Sequence, residues 1–203
     1  MTQTVDFYFD FGSPAAYLAW TQLPQICADT GAQLVWKPML LGGVFQATGN
    51  RAPMTVPLKG SYLFVDLARF ARRYGVALNF NPNFPINTLT LMRAAVGLQL
   101  RQDTRFEGYC AAMFRSIWVD AQNMNDPGTV ASVLTQAGFD PAALLALSVE
   151  PAVKEQLKAV TEAAVQRGVF GAPTFFVAEQ MFWGQDRLDF VRDALSHSLK
   201  ETA

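Results

Sequence analysis

The chain has one histidine, His197, and two cysteines, Cys27 and Cys110, among 203 residues. Zinc sites built from His and Cys need several such ligands at short spacings, and none is present. The two cysteines do not form a Cys-x-x-Cys redox pair. A His-based triad would have to draw on His197 in the last helical segment. Any catalysis must therefore do without the usual base and the usual protein nucleophile.

Charge is also scarce. Only 16% of residues are charged, against about 25% in an average soluble protein. Sixteen basic residues face seventeen acidic ones, and no run of like charge exceeds two. Nucleic acids and acidic membrane surfaces need a clustered basic face, so neither is an expected partner. The uncharged stretch from Phe11 to Ala28 is interrupted by Pro14 and Pro24 and by Ser, Thr and Gln, a poor transmembrane candidate. The opening Met-Thr-Gln-Thr-Val-Asp has no basic n-region and no apolar h-region. No secretory signal is expected, and the expected location is cytoplasmic. What the chain does have is apolar residues, 51% of the total. They suffice for the core of one domain, or of one domain with a large insertion.

Val5, Phe7, Phe9 and Phe11 alternate with more polar neighbours and predict a strand with one buried face. Gly12-Ser13-Pro14 breaks it. Ser13 is a good N-cap and Pro14 suits the first helical position. The helix that follows carries Tyr17, Leu18, Trp20, Leu23 and Ile26 and ends at Gly31, with a kink expected at Pro24. A second strand is expected over Gln33 to Met39, making β-α-β with parallel strands. From Leu58 to Arg167 only helical periods occur: Leu63, Leu67, Phe70, Tyr74; Leu89, Met92, Val96; Phe106, Cys110, Met113, Ile117; and Val153, Leu157, Val160, Ala164. Asp126-Pro127 and Asp140-Pro141 are cap-plus-proline helix starts. Thr174 to Val177 and Met181 to Trp183 then read as a hairpin. Leu188, Val191, Leu195 and Leu199 mark a last helix. The order β-α-β, helical block, β-β-α is an α/β thioredoxin-like plan. Residues 1–46 and 168–203 make the thioredoxin-like part, and 47–167 an all-α insertion.

In that plan the N-terminus of the first helix is an anion site, through its free N–H groups and its dipole. Thiol oxidoreductases of this shape place a Cys-x-x-Cys there. Here the two positions are Ser13 and Ala16. The anion-stabilising geometry remains without a protein thiol, which points to sulfur carried in by a ligand, glutathione being the common intracellular thiol. Phe9-Asp-Phe-Gly-Ser-Pro-Ala-Ala-Tyr-Leu-Ala19 resembles the 2-hydroxychromene-2-carboxylate isomerases, relatives of the kappa-class glutathione transferases and of DsbA-like proteins. Asn50, Lys59, Tyr62 and Asp66 match that family's glutathione-contacting segment. Gly171-Ala-Pro-Thr174 matches its cis-proline loop, and Trp183-Gly-Gln-Asp-Arg-Leu188 the segment before its last helix.

The resemblance implies a glutathione-dependent isomerase acting on a small aromatic oxo-acid from the breakdown of naphthalene-type hydrocarbons, and a homodimer. It implies that Ser13 donates to the glutathione thiolate and that the backbone of Ala172, beside cis Pro173, pairs with the cysteinyl part. Asp186 would take the γ-glutamyl ammonium and Gln185 its carboxylate. Lys59 and Asn50 would reach the glycyl end, with Asp66 and Arg187 as supporting charges. Trp118 is a candidate substrate wall. Gly12, Ala15 and Ala16 are smaller than the family's usual residues, which implies more space beside the sulfur. Plainer roles stand beside these. Ser13 and Asp186 are also good N-caps, and Lys59 suits a solvated helix face. Trp118, Tyr109 and Phe170 suit a core, Cys27 and Cys110 are small hydrophobes, and His197 suits a surface. The rival activities are a kappa-type glutathione transferase, a non-catalytic thioredoxin-like binding module and, against Ser13 and Ala16, a dithiol oxidoreductase.

Overall fold

The computed structural model describes residues 3–197. The His197 side chain and Leu199 lie outside the described residues. A four-stranded sheet has the order β2-β1-β3-β4, with β1 at Thr4–Phe9, β2 at Gln33–Pro38, β3 at Thr174–Val177 and β4 at Gln180–Trp183. β1 runs parallel to β2, with Phe7 opposite Trp36, and antiparallel to β3, with Phe7 opposite Phe175. β3 and β4 form the expected hairpin. The parallel pair is joined by α1 (Pro14–Thr30), a single helix continuous through Pro24.

Side chains alternate across a sheet, so each strand feeds two layers. Val5, Phe7, Phe9, Phe175 and Val177 point into the main core. That layer is covered by α1, by α9 (Leu188–His197) and by the helical block: α3 (Pro57–Tyr74), α4 (Leu89–Leu100), α5 (Phe106–Trp118), α6 (Pro127–Gln136) and α7 (Pro141–Val149). Phe114 of α5 joins the two parts. Its ring lies 5.0 Å from Phe11, 5.8 Å from Phe9 and 5.4 Å from Trp20. Burying several aromatic rings in one contiguous cluster makes the helical block and the sheet one packing unit.

The second face of the sheet is buried as well. Tyr8 and Phe176 pack with Met39, Val44, Ala164 and Val169 under α2 (Leu41–Thr48) and α8 (Pro151–Gln166). The sequence pattern predicts one buried face on β1, and the structure buries both. α2 itself is unexpected: Gly42-Gly43 has poor helix propensity. At Gly43 a Cβ would sit 3.3 Å from Thr161 Cγ2, so the glycine lets α2 lie close on α8. Among the described residues no single helix is long and apolar enough to cross a membrane.

Candidate active site

Two chain segments far apart in sequence meet at the start of α1. Ser13 is the N-cap, in extended conformation, and its Oγ accepts from the Ala16 N–H at 3.1 Å. The same hydroxyl donates to the Ala172 carbonyl at 3.0 Å. The Ala172–Pro173 bond is cis. Pro14 has no N–H, and no described group accepts from the Ala15 N–H, which stays open beside Ser13. The first turn thus presents a hydroxyl, a free amide donor and the positive end of a helix at one point.

The turn leading to Ser13 is fixed by Asp10, which is 2% exposed. One carboxylate oxygen accepts from the Gly12 N–H at 2.9 Å and the Thr88 hydroxyl at 2.7 Å; the other accepts from the Leu41 N–H at 2.9 Å. Burial pushes this carboxyl above its ordinary value, against the pull of the three hydrogen bonds. Asp10 ties the starts of α2 and α4 to the α1 turn. Sequence reasoning assigns it no role, although Asp-x-Gly at a strand end is a turn signal. Trp118 supports the same segment: its indole N–H donates to the Phe11 carbonyl at 2.7 Å, and it is 1% exposed. It is a core residue behind the site, so its candidacy as a substrate wall is corrected: a closed-in ring with its N–H engaged offers a substrate no face. Ala16 is likewise fully buried and adds no space at the sulfur position; only Gly12 and Ala15 are partly open.

On the other side, Gly184 N–H donates to the Pro173 carbonyl at 3.0 Å, linking the cis-proline loop to a 3₁₀ turn at Gln185–Arg187. Gly184 has φ +98°, and a Cβ there would come 2.5 Å from Asp186 Oδ1. Only glycine lets the chain turn here and leaves Asp186 its place. Asp186 and Arg187 are exposed and form an ion pair. Gln185 is buried, and its carbonyl accepts from the Tyr74 hydroxyl at 2.9 Å. Burial, with Asp189 and Asp186 nearby, pushes the Tyr74 phenol up to about 12, so it remains a donor. Asn50 Nδ2 donates to the Phe170 carbonyl at 2.8 Å, two residues before Ala172.

The structure therefore brings Ser13, Ala172, Pro173, Gln185 and Asn50 into one hydrogen-bonded frame, with Asp186 and Arg187 on its rim. Lys59 lies exposed in the first turn of α3, and Asp66 pairs with Arg69 at 3.7 Å. Neither touches another candidate. A further wall escapes sequence reasoning. Trp183 is 47% exposed and packs at 5.0 Å on Phe170, which is half-buried rather than core. A Cβ at Gly171 would meet Trp183 Nε1 at 2.7 Å, so the indole lies directly on the cis-proline loop. Cys110 is buried in α5 and Cys27 half-buried in α1; burial pushes both thiols up, away from the reactive thiolate. Among the described residues no cluster of His, Cys, Asp and Glu could hold a metal.

The family model for the DSBA-like thioredoxin domain matches residues 4–196. The chain belongs to that family. Within it, the chain is 34% identical to the 2-hydroxychromene-2-carboxylate isomerase of Sphingobium xenophagum over 197 residues, covering 96% of this chain and 99% of that protein. Glutathione S-transferase kappa 1 of Homo sapiens is 26% identical over 213 residues, covering 99% and 92%. A solved 2-hydroxychromene-2-carboxylate isomerase superposes with a TM-score of 0.85 at 30% identity, covering 98% of this chain and 97% of that one. DsbA of Pseudomonas aeruginosa, at 15% identity and TM-score 0.60 over 99% of this chain and 85% of that one, shares the fold. The isomerase and transferase relatives align along the whole chain, so the helical block belongs to the common architecture.

Proposed function

We propose that the chain is a glutathione-dependent isomerase of the 2-hydroxychromene-2-carboxylate isomerase type, acting on a small conjugated aromatic oxo-acid in the cytoplasm. The observation that carries this reading is the Ser13 hydroxyl. It stands at a helix N-terminus, against the carbonyl before a cis proline, with no cysteine in the turn, Cys110 being buried in α5 and Cys27 half-buried near the other end of α1. The site is built to hold a thiolate and has none of its own.

The residues present fit glutathione. The cradle has a carbonyl acceptor at Ala172 and a hydroxyl and amide donor at Ser13 and Ala15. It has a rim carboxylate at Asp186, and Lys59, exposed in the first turn of α3 and apart from the frame, is the cation assigned to the far end of the tripeptide. That donor set matches a tripeptide with one ammonium, two carboxylates and a thiol. Bound there, glutathione would supply a soft thiolate nucleophile for reversible addition to a conjugated double bond.

The chain's own groups do the rest. Ser13 and the α1 N-terminus hold negative charge at the sulfur position by hydrogen bonding to the charged form. Ala172 aligns the cysteinyl backbone in the manner of an added strand. Asp186 takes the γ-ammonium, and Gln185 orients its carboxylate. Asn50 and Lys59 serve the glycyl carboxylate, with Asp66 and Arg187 balancing the local charge. Trp183 and Phe170 keep water from one side of the loop, which strengthens each of these interactions.

Calorimetric titration with glutathione, followed by ultraviolet monitoring of a benzylidenepyruvate, tests the reading. Glutathione should bind one per chain, and the substrate should isomerise with glutathione recovered in full. Stoichiometric thioether product would instead make the chain a kappa-type transferase. Absence of glutathione binding would make it a non-catalytic thioredoxin-like module.

A further inference from the structure

A second pocket lies apart from the Ser13 site. It is a half-open cleft with a volume of about 640 Å³, lined by α2, the start of α4 and one face of α8. Its apolar lining includes Leu40, Leu89 and Leu157. Its charged lining is Arg93, Lys154, Lys158 and Glu162. Lys158 faces Glu162 at 4.0 Å, a loose i,i+4 pair on the surface of α8. Lys154, one turn earlier, and Arg93 make no ion pair among the described residues.

Arg93 is the unusual member. It is half-buried in a helix that is otherwise core on both sides, from Leu91 and Met92 to Ala94 and Ala95. Its Nε is closed off from solvent, and among the described residues no group accepts from it. An arginine cannot shed its charge. An unsatisfied buried donor is unfavourable; the rest of the side chain is partly open and lines the pocket, where a carboxylate would meet the guanidinium's accessible edge.

We infer that this pocket is a binding site for an organic anion: a carboxylate seated on Arg93, flanked by Lys154 and Lys158, with an apolar body against Leu40, Leu89 and Leu157. The volume is in the range of small-molecule sites, and the combination of apolar walls with a few convergent polar groups is their usual make-up. A bare inorganic anion would leave those walls unused. None of the lining residues belongs to the sulfur site. The two are neighbours all the same, because α2 and α4 both start at Asp10, through the Leu41 N–H and the Thr88 hydroxyl. The inference goes beyond the isomerase reading and stands without it.

The test is calorimetric titration of the full chain with naphthoate, in the absence and presence of saturating glutathione. Naphthoate should bind in both cases. The neutral naphthamide should bind roughly tenfold or more weakly, the loss expected for one charge-assisted contact. Arg93→Met should weaken naphthoate by a similar factor while leaving the melting temperature unchanged or raised, since no internal partner is lost. Lys154→Ala, an exposed substitution that keeps the fold, should weaken it by about threefold. The inference is overturned if naphthoate fails to bind, if naphthamide binds equally well, or if inorganic phosphate competes with equal strength. It is overturned too if glutathione displaces the probe, which would place it in the sulfur cleft, or if neither substitution changes the affinity.

Discussion

The Ser13 hydroxyl donates to the Ala172 carbonyl at 3.0 Å while accepting from the Ala16 N–H at 3.1 Å. A hydroxyl has one proton to give. If it turns to a thiolate, Ala172 must lose its donor, and the peptide N–H of an incoming cysteinyl group is suited to replace it. The contact therefore keeps both halves of the cleft satisfied until a ligand exchanges for it. Ser13→Ala should lower turnover about 10²-fold, the loss typical of one donor to a developing anion, with a much smaller change in glutathione affinity. It also removes a helix cap worth about 1 kcal/mol. Steady-state kinetics beside calorimetry checks the first claim, and thermal unfolding the second. Unchanged turnover would remove Ser13 from the chemistry.

Asp186 faces solvent beside Arg187, with an ammonium-binding role on the proposed reading. Asp186→Ala should raise the KM for glutathione about tenfold, the loss of one charge-assisted hydrogen bond, with kcat little changed. A fall in kcat at constant glutathione affinity would count against this assignment. Gly184→Ala should do more damage than its size suggests. It forces a side chain into φ +98° and within 2.5 Å of Asp186 Oδ1, so it should both raise KM and lower the melting temperature.

Asp10 titrates against the ordinary rule for stabilising carboxylates. Its pKa is raised by burial above the usual 3.8, so the folded state keeps the proton to higher pH than the unfolded state does. Its contribution to stability is complete below 3.8 and falls as pH rises through the raised folded value. Asp103 behaves oppositely: its hydrogen bonds to Arg105 lower it to about 2, so its contribution is present above 3.8 and is lost as pH falls toward that value. Asp10→Asn puts an amide donor where Gly12, Leu41 and Thr88 all donate. The variant should lose about 1–3 kcal/mol, the penalty of unsatisfied buried groups. The gap between wild type and variant should narrow as pH rises through that window. Urea unfolding at a series of pH values measures it; a constant gap would mean that Asp10 does not titrate there.

The strand-turn-helix around Ser13, the hairpin and the helical faces were all legible, because each rests on local periodicity and on caps that act within a few residues. α2 was not, since Gly42-Gly43 has poor helix propensity and the helix's tertiary partners, Asp10 at its start and Thr161 against Gly43, are brought to it only by folding. The double burial of β1 was hidden too: Asp6, Tyr8 and Asp10 look like a solvent face until α8 covers it. Ser13 and Ala172 are joined by a hydrogen bond between segments far apart in sequence, which no local pattern shows. Asp10 was missed because its partners Thr88 and Leu41 are brought to it only by tertiary folding, and Trp183 because an exposed aromatic in a short strand carries no local mark. Trp118 misled for the converse reason. A large aromatic on an apolar helix face has the same pattern whether it lines a pocket or fills a core.

Tyr74 ends α3, and its hydroxyl reaches across to the Gln185 carbonyl at 2.9 Å. The phenol is half-buried and stays protonated, with its pKa pushed up to about 12 by burial first and by nearby Asp189 and Asp186 after it. Its hydroxyl bonds to the backbone of the turn and not to a charged candidate group, so its tether acts on the position of the Gln185–Arg187 turn, which is also held by the Gly184 bond to Pro173. Tyr74→Phe keeps the ring and its packing on Phe70, at 5.7 Å, and removes one tether of two. Glutathione affinity should fall by about three- to tenfold, in line with one neutral hydrogen bond of roughly 0.5–1.5 kcal/mol, while kcat at saturating glutathione stays near wild type. A variant with lowered kcat and unaltered affinity would show that the tether acts on the sulfur end of the cleft instead, through Pro173 and Ala172.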